Sequence, residues 1–345
     1  MSDHDRDHDP ILLRRLLELR RFPLFASAEL GELAMLAENV VEVWHTDGAM
    51  IARPSTLDAV HLILSGRIDV GAATYGAHKM FGLLEVLARR PLVVPAIAVG
   101  ETRTLRLTAP DLREVLEDNF GLLLITIREL AVRTLAVREA GPLGRPLAAA
   151  APMAAPLGLV ERMIVLRRQI PFASIPSCGP PSEAHGRAAP LEAIAALAHA
   201  TKETTWPAGA VMARSDEPPL DARIILDGNV RATRADRDPY LLGPGSSIGI
   251  LESLAGVRHA ATVEVVSPVR ALEITSSIIF DVIEDHAELG LAIIEALAGG
   301  LLDADADADM DTDVDATVAG TAVAGAAVAG AAVAGAAAGA GARLS

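Results

Sequence analysis

Residues 81–118 read FGLLEVLARRPLVVPAIAVGETRTLRLTAPDLREVLED, and residues 248–285 read IGILESLAGVRHAATVEVVSPVRALEITSSIIFDVIED. The two stretches align without a gap. Gly82 recurs as Gly249, Leu84 as Leu251 and Glu85 as Glu252; Leu87, Ala88, Arg103, Leu105, Thr108, Val115, Glu117 and Asp118 recur in the same register. So many identities in one register mark an internal repeat, and a repeat decides the architecture before any single element does.

The match continues upstream with gaps. HLILSGRIDV (61–70) resembles RIILDGNVRA (223–232), Gly48-Ala49 recurs as Gly209-Ala210, and Leu19-Arg20-Arg21 before Pro23 recurs as Leu166-Arg167-Arg168 before Pro171. Two modules follow, over 11–140 and 159–302. Between them, 141–158 (GPLGRPLAAAAPMAAPLG) is a Pro/Ala-rich linker, because its prolines forbid one continuous helix. Such a linker predicts modules that fold independently. Residues 1–10 read as a disordered polar tail, and 303–345 as an acidic and then Ala/Gly/Val-rich low-complexity tail.

Within a module the period changes along the chain. Residues 11–21 and 29–37 carry apolar residues at helical spacing, the second run after Ser27 as N-cap. VVEVWH (40–45), AVHLILSG (59–66), RIDVG (67–71), PAIAVG (95–100) and RTLRLT (103–108) read as separate short strands punctuated by Gly. After Pro110, DLREVLEDNF and LLLITIRELAVRTLAV (122–137) return to the helical period. Helices, then short strands, then helices give an α+β fold.

On these residues the module resembles the cyclic nucleotide-binding domain family. The likeness is carried by Pro23-Leu24-Phe25-Ala26, by Leu62 to Arg67, by Ile224 to Gly228, by Gly245 to Leu254, by Ala260 to Val263, and by Phe280-Asp281-Val282-Ile283. It implies two tandem antiparallel jelly-roll β-barrels, each flanked by helices. It also implies a phosphate-binding cassette, in which a Gly-Glu-Leu-Ala-Leu run precedes Arg-Ala-Ala-Thr-Val. There a Glu accepts from a ribose hydroxyl and an Arg pairs with the cyclic phosphate.

Both cassettes depart from that pattern. In the second copy the candidate ligand residues are Gly249, Ile250, Leu251, Glu252, Arg258, His259, Ala260, Ala261 and Thr262. Ile250 stands at the Glu position and His259 at the Arg position. Arg258 lies one residue early, and in a strand a one-residue shift turns a side chain to the other face. Arg258 can recover the role only where the backbone is irregular, and His259 can pair with phosphate only when protonated. In the first copy Leu83 and Leu92 stand at the two positions, and Arg89-Arg90 precede Pro91, so this copy reads as a scaffold without a ligand site. Glu85 and Glu252 read as solvated carboxylates on a short helix, with a substitute ribose acceptor as the alternative.

Composition excludes other classes. With 45 Asp+Glu against 30 Lys+Arg the net charge is -15, which argues against nucleic acid as a partner. The 51% hydrophobic content allows full cores, while only 3% aromatic residues make Leu, Ile, Val and Ala their material. The single cysteine, Cys178, excludes a disulfide framework. With His185 it sits in a Pro/Gly insertion (176–186) that lacks an oxyanion context, so no catalytic role is assigned. His4 and His8 alternate with Asp residues, read as a polar tail with weak divalent-metal binding as the alternative. No nucleotide-fold, kinase or hydrolase signature is present. The alternating Asp of 303–315 predict an extended stretch. Residues 316–342 have the length of a membrane span, but their regular Gly and lack of Leu, Ile and Phe oppose insertion.

The sequence therefore predicts a non-enzymatic, cytoplasmic regulatory or sensor protein without a cofactor. cAMP, cGMP or another small anion is the ligand to test for the second barrel, and a protein partner is unnamed. The alternative is a protein–protein interaction scaffold whose barrels have lost ligand binding.

Overall fold

The two repeats build the same succession of elements. A computed structural model describes residues 4–26, 28–140, 156–169 and 191–304. The first module opens with α1 (His4–Leu19), a 3-10 turn (Pro23–Phe25) and α2 (Leu30–Asn39). The strands β1 (Val41–His45), β2 (Met50–Ala52), β3 (Ala59–Val70), β4 (Ala73–Tyr75) and β5 (Met80–Phe81) follow, then the short α3 (Leu83–Leu87) and β6 (Ala96–Thr108). Helices α4 (Ala109–Asp118) and α5 (Phe120–Ala140) close it. The second module repeats this as α6 (Leu159–Gln169), α7 (Leu191–Ala200), β7 (Lys202–Trp206), β8 (Val211–Ala213), β9 (Asp221–Asp227), β10 (Val230–Arg234), β11 (Arg237–Leu242), β12 (Ser247–Ile248), α8 (Ile250–Ala255), β13 (Thr262–Val265), β14 (Val269–Thr275) and α9 (Ser276–Asp285). A last helix, α10, runs over 287–304.

Two local expectations change. α1 begins at His4, so it takes in residues assigned to the disordered N-terminal tail. Ser27 lies outside the described residues, and α2 is instead capped by Glu29, whose N–H donates to the Glu32 carboxylate at 2.8 Å. The linker residues 141–155, the insertion carrying Cys178 and His185, and the tail from 305 onward also lie outside the described residues.

A larger correction concerns the strands. The segments 59–66 and 67–71 form one continuous β3, and 95–100 with 103–108 lie in one β6. The two pair antiparallel from Ala59↔Thr108 to Val70↔Ala96, with register shifts around Ser65. The cause is bulging: Gly66 (φ 82°) and Gly100 (φ 72°) absorb the bend, so the ladder continues where the punctuation suggested an end. In the second module the corresponding strands do break. Pro268, which has no N–H to give a ladder, separates β13 from β14, where the first module has Glu101. Consequently the first module has one folded six-stranded sheet, and the second has two four-stranded sheets, β11-β10-β13-β8 and β12-β9-β14-β7. Those two sheets share one apolar core that includes Met212, Ile225, Val230, Ile248, Val263 and Val269.

The modules touch. α5 packs on α8. α10 approaches α5 closely at Gly290, where an added Cβ would sit 2.6 Å from Leu123 Cδ2 and 3.1 Å from Ile283 Cγ2. Leu122, Leu123, Ile127, Leu289, Ile293, Ile294 and Leu297 are all buried. The Gly290→Leu variant is expected to lose about 1–3 kcal/mol in urea unfolding, the usual range for overpacking a fitted core. An unchanged midpoint would show that α10 does not press on α5.

Candidate functional site

The second cassette is built on α8. Gly249 precedes it in the left-handed region (φ 82°), with room for no side chain: a Cβ there would lie 2.8 Å from the Asp221 carbonyl oxygen and 3.2 Å from His259 Cε1. Ile250 starts the helix, half-buried, and Leu251 turns into the core at 3% exposure. Gly256 (φ 68°) ends it. The first module forms the same C-terminal turn with Arg89 at φ 54°, a conformation that an L-residue adopts with strain.

After α8 the chain carries Arg258, His259, Ala260, Ala261 and Thr262 toward β13, and their side chains diverge. His259 is buried, its ring against Gly249 and its Nδ1 3.9 Å from Glu252 Oε1. Glu252 therefore lies beside His259 rather than fully in solvent. Arg258 is exposed, and its guanidinium donates to the Asp216 carbonyl. Ala260 is exposed, and Ala261 packs on the barrel core. Thr262 accepts at its hydroxyl from the Ser215 N–H at 3.1 Å. The structure thus separates Arg258 from His259 and joins both to a segment that sequence reasoning had not singled out.

That segment is the β8–β9 connection, Arg214-Ser215-Asp216-Glu217-Pro218-Pro219. The Asp216 N–H donates to the His259 carbonyl at 2.9 Å, and the His259 N–H donates to the Glu217 carbonyl at 3.0 Å. The Ser276 hydroxyl donates to the Pro219 carbonyl at 2.8 Å, and Ser253 Oγ lies 2.8 Å from Ser276 Oγ. Asp216 itself sits at φ 65°.

Sequence reading also missed a polar layer inside each sheet. In the second module Arg223 is 9% exposed. It donates to Glu273 at 2.7 Å, to Asp221 at 3.2 Å and to the Met212 carbonyl on the opposite sheet at 3.0 Å, with its guanidinium 5.2 Å from the Trp206 ring centre. Burial alone would raise the Glu273 carboxyl, but hydrogen bonds from Arg223 and Lys202 hold it below the ordinary carboxylate range. In the first module His61 stands at the place of Arg223 and Arg106 at that of Glu273; His61 is bonded through Nδ1 to Thr104 Oγ1 at 3.3 Å, and His45, at the place of Trp206, through Nε2 to the same hydroxyl at 3.3 Å. Such pairs join residues distant in sequence, so neither pattern nor spacing announces them.

The first cassette is filled. Leu92 is buried among Leu57, Ile63, Ile68, Phe81 and Ala96. Leu83 faces the other way, onto a crevice shared with Leu24, Phe25, Leu112 and Leu116. Arg89 is exposed, and Arg90 extends to 3.6 Å from where a Cβ at Gly299 of α10 would stand. Neither arginine points into the sheet interior. Among the described residues no group of His, Cys, Asp and Glu could hold a metal ion, and no helix is long and apolar enough to cross a membrane.

No protein-family model and no curated protein matches the sequence. Solved structures do. A regulatory subunit of a cAMP-independent protein kinase A from Trypanosoma brucei matches with a TM-score of 0.31 and 17% identity, over 83% of this chain and 88% of that one. The regulatory domain of Toxoplasma gondii PKA, crystallised with cAMP, matches with a TM-score of 0.30 and 13% identity, over 83% of this chain and 97% of that one. The N-terminal domain of a transcriptional regulator from Streptomyces coelicolor matches with a TM-score of 0.29 and 22% identity, over 32% of this chain and 84% of that one. In the order of its helices and strands, and in the place of its short cassette helix, each module resembles the cyclic nucleotide-binding domain.

Proposed function

We propose that the protein is a non-enzymatic regulatory protein whose second module is its sensing module, taking a small anion such as a cyclic nucleotide at the cassette, while the first module is a scaffold. One observation carries this. In the second module Arg258, the His259 amide and the Thr262 hydroxyl converge on a single short segment at the surface, whereas the first module has Pro91, Leu92 and Pro95 at the equivalent places and keeps only the backbone contact, from the Leu92 N–H to the Ser55 carbonyl at 2.9 Å. The cassette helix α8 also lies against α5 of the first module.

Calorimetry with cAMP, cGMP and inorganic phosphate tests the assignment. Weak binding is expected, since Ile250 offers no acceptor to a ribose hydroxyl. Arg258→Ala should weaken it by about tenfold to a hundredfold, the usual size of losing a charged hydrogen-bond partner. Binding unaltered by Arg258→Ala would remove the cassette from the site.

The scaffold alternative has its own support. Leu13, Leu17 and Leu30 in the first module, and Val160, Ile164 and Leu191 at the matching positions of the second, are all between 44% and 66% exposed. An apolar surface kept in both copies is the kind a protein partner covers.

A further inference from the structure

We propose that the segment Ser215–Pro219 is a strap that holds the second cassette closed, so that an anion reaches Arg258, the His259 amide and Thr262 only when the strap lifts. The proposal rests on the functional assignment above and adds its regulation. An anion at this cassette would need donors, and two of them are already used. The Arg258 guanidinium donates to the Asp216 carbonyl, and the His259 N–H donates to the carbonyl of the next residue, Glu217. Two consecutive peptide oxygens thus stand where two anion oxygens would, as neutral acceptors in place of charged ones. The Ser215 N–H occupies the Thr262 hydroxyl, and the Asp216 N–H ties the strap to the His259 carbonyl.

The strap has the features of a part that moves. Residues 214–218 are exposed, so lifting them uncovers little apolar surface. Its hold on the module is hydrogen bonds that water can replace. Pro219 is the hinge end, fixed by the Ser276 hydroxyl at the start of α9 and near Ser253 of α8. Asp216 sits at φ 65°, a conformation that favours glycine over an L-residue and so adds nothing to the hold of the closed strap.

This geometry supplies two variants of opposite sign that touch no anion-binding side chain. Proline cannot adopt positive φ and has no N–H, so Asp216→Pro disfavours the closed strap. Glycine adopts positive φ freely and keeps the N–H and carbonyl, so Asp216→Gly favours it. When the competent state is a minor population, apparent affinity falls in proportion to that population. Asp216→Pro is therefore expected to bind cAMP or inorganic phosphate about tenfold or more tightly than the unaltered protein, and Asp216→Gly about threefold more weakly. Phosphate binding as strongly as cAMP would mean that the cassette recognises the anion alone; tighter cAMP would mean that the rest of the nucleotide contributes. Both outcomes support the strap if the order of the variants holds.

Equal affinity across the three proteins overturns the strap and leaves the anion site standing. Absence of binding in both the unaltered protein and Asp216→Pro overturns the strap and the functional assignment together. Should Asp216→Pro fail to fold, amide hydrogen exchange on the full chain decides. The His259 amide is protected by Glu217 and should exchange differently when cAMP or phosphate is added, together with the Asp216 amide, which must become unprotected. Protection of the Asp216 amide unchanged under saturating probe overturns the strap.

Discussion

Gly228→Ala is expected to destabilise the protein by about 3 kcal/mol or more, whereas Gly209→Ala, also at a positive φ, should lose only about 1–2 kcal/mol. The two glycines separate two physical effects. Both sit near φ 82–86°, so each substitution forces an L-residue into the left-handed region. At Gly209 a Cβ would meet nothing within 4 Å. At Gly228 it would stand 2.2 Å from the Pro268 carbonyl oxygen and 2.9 Å from Val269 Cα, atoms of the backbone that cannot rotate away. The difference between the two variants therefore measures the close approach of the β9–β10 turn to the β13–β14 break. Gly66 and Gly48 repeat the contrast in the first module: a Cβ at Gly66 would lie 2.6 Å from the Glu101 carbonyl oxygen, and one at Gly48 would meet nothing. Urea unfolding of the four alanine variants checks all of this. Equal losses at Gly209 and Gly228 would mean that the turn can retreat and that the contact is not structural.

These glycines also show how much of the fold was legible. Gly66 and Gly228 anchored the upstream alignment, and Gly82 and Gly249 the downstream one, because each supplies a backbone conformation the fold needs and so stands in both copies. Periodicity located α2, α4 and α5 to within about three residues and missed the first two turns of α1. Strand continuity was not legible, because Gly66 and Gly100 bend β3 and β6 without ending them, and a glycine that bulges reads the same as one that terminates. Leu92 lies in the core, and Arg258 and His259 face different ways. The strap was not legible. Its contacts to the cassette are made by backbone groups of exposed residues, which leave no composition or spacing to detect. Nor did scattered histidines disclose that His45 and His61 meet through Thr104, since a pairing of β1 with β6 and β6 with β3 is needed to bring them together.

The difference between the two interiors has a consequence for acid stability. In the second module the polar layer is an ion pair, Arg223 with Glu273, supported by Asp221 and Lys202. Its carboxylate is held below the ordinary range, so its contribution persists through mildly acidic conditions. In the first module His61 and His45 share the Thr104 hydroxyl, and burial lowers both imidazoles, so the unfolded chain takes up protons at a higher pH than the folded one.

Loss of first-module stability between pH 6.5 and pH 4 is therefore the second large effect expected. His61 is 6% exposed, and burial, then the charges of His45 and Arg106, lower its pKa from 6.5 to about 4, with Asp58 acting weakly in the opposite direction. The groups around it come from β1, from β6 and from the residue before β3, so no single strand movement relieves them. Above pH 6.5 the ring is neutral in both folded and unfolded chains, and the stabilisation is fully present. As pH falls below 6.5 the unfolded chain binds a proton that the folded one refuses, and stability declines until the folded ring also titrates near pH 4. The depression is worth about 3 kcal/mol at 1.36 kcal/mol per pKa unit, as an order of magnitude. Carboxylates titrate over the lower part of the same range, so the measurement is a difference. In His61→Gln the amide can still reach the Thr104 hydroxyl and has no proton to take up. Urea unfolding of both proteins at pH 7, 6, 5 and 4 should show the unaltered protein losing about 3 kcal/mol relative to His61→Gln across that interval. A constant difference would place His61 in contact with water in the folded state and remove the buried imidazole layer as the acid-sensitive part of the first module.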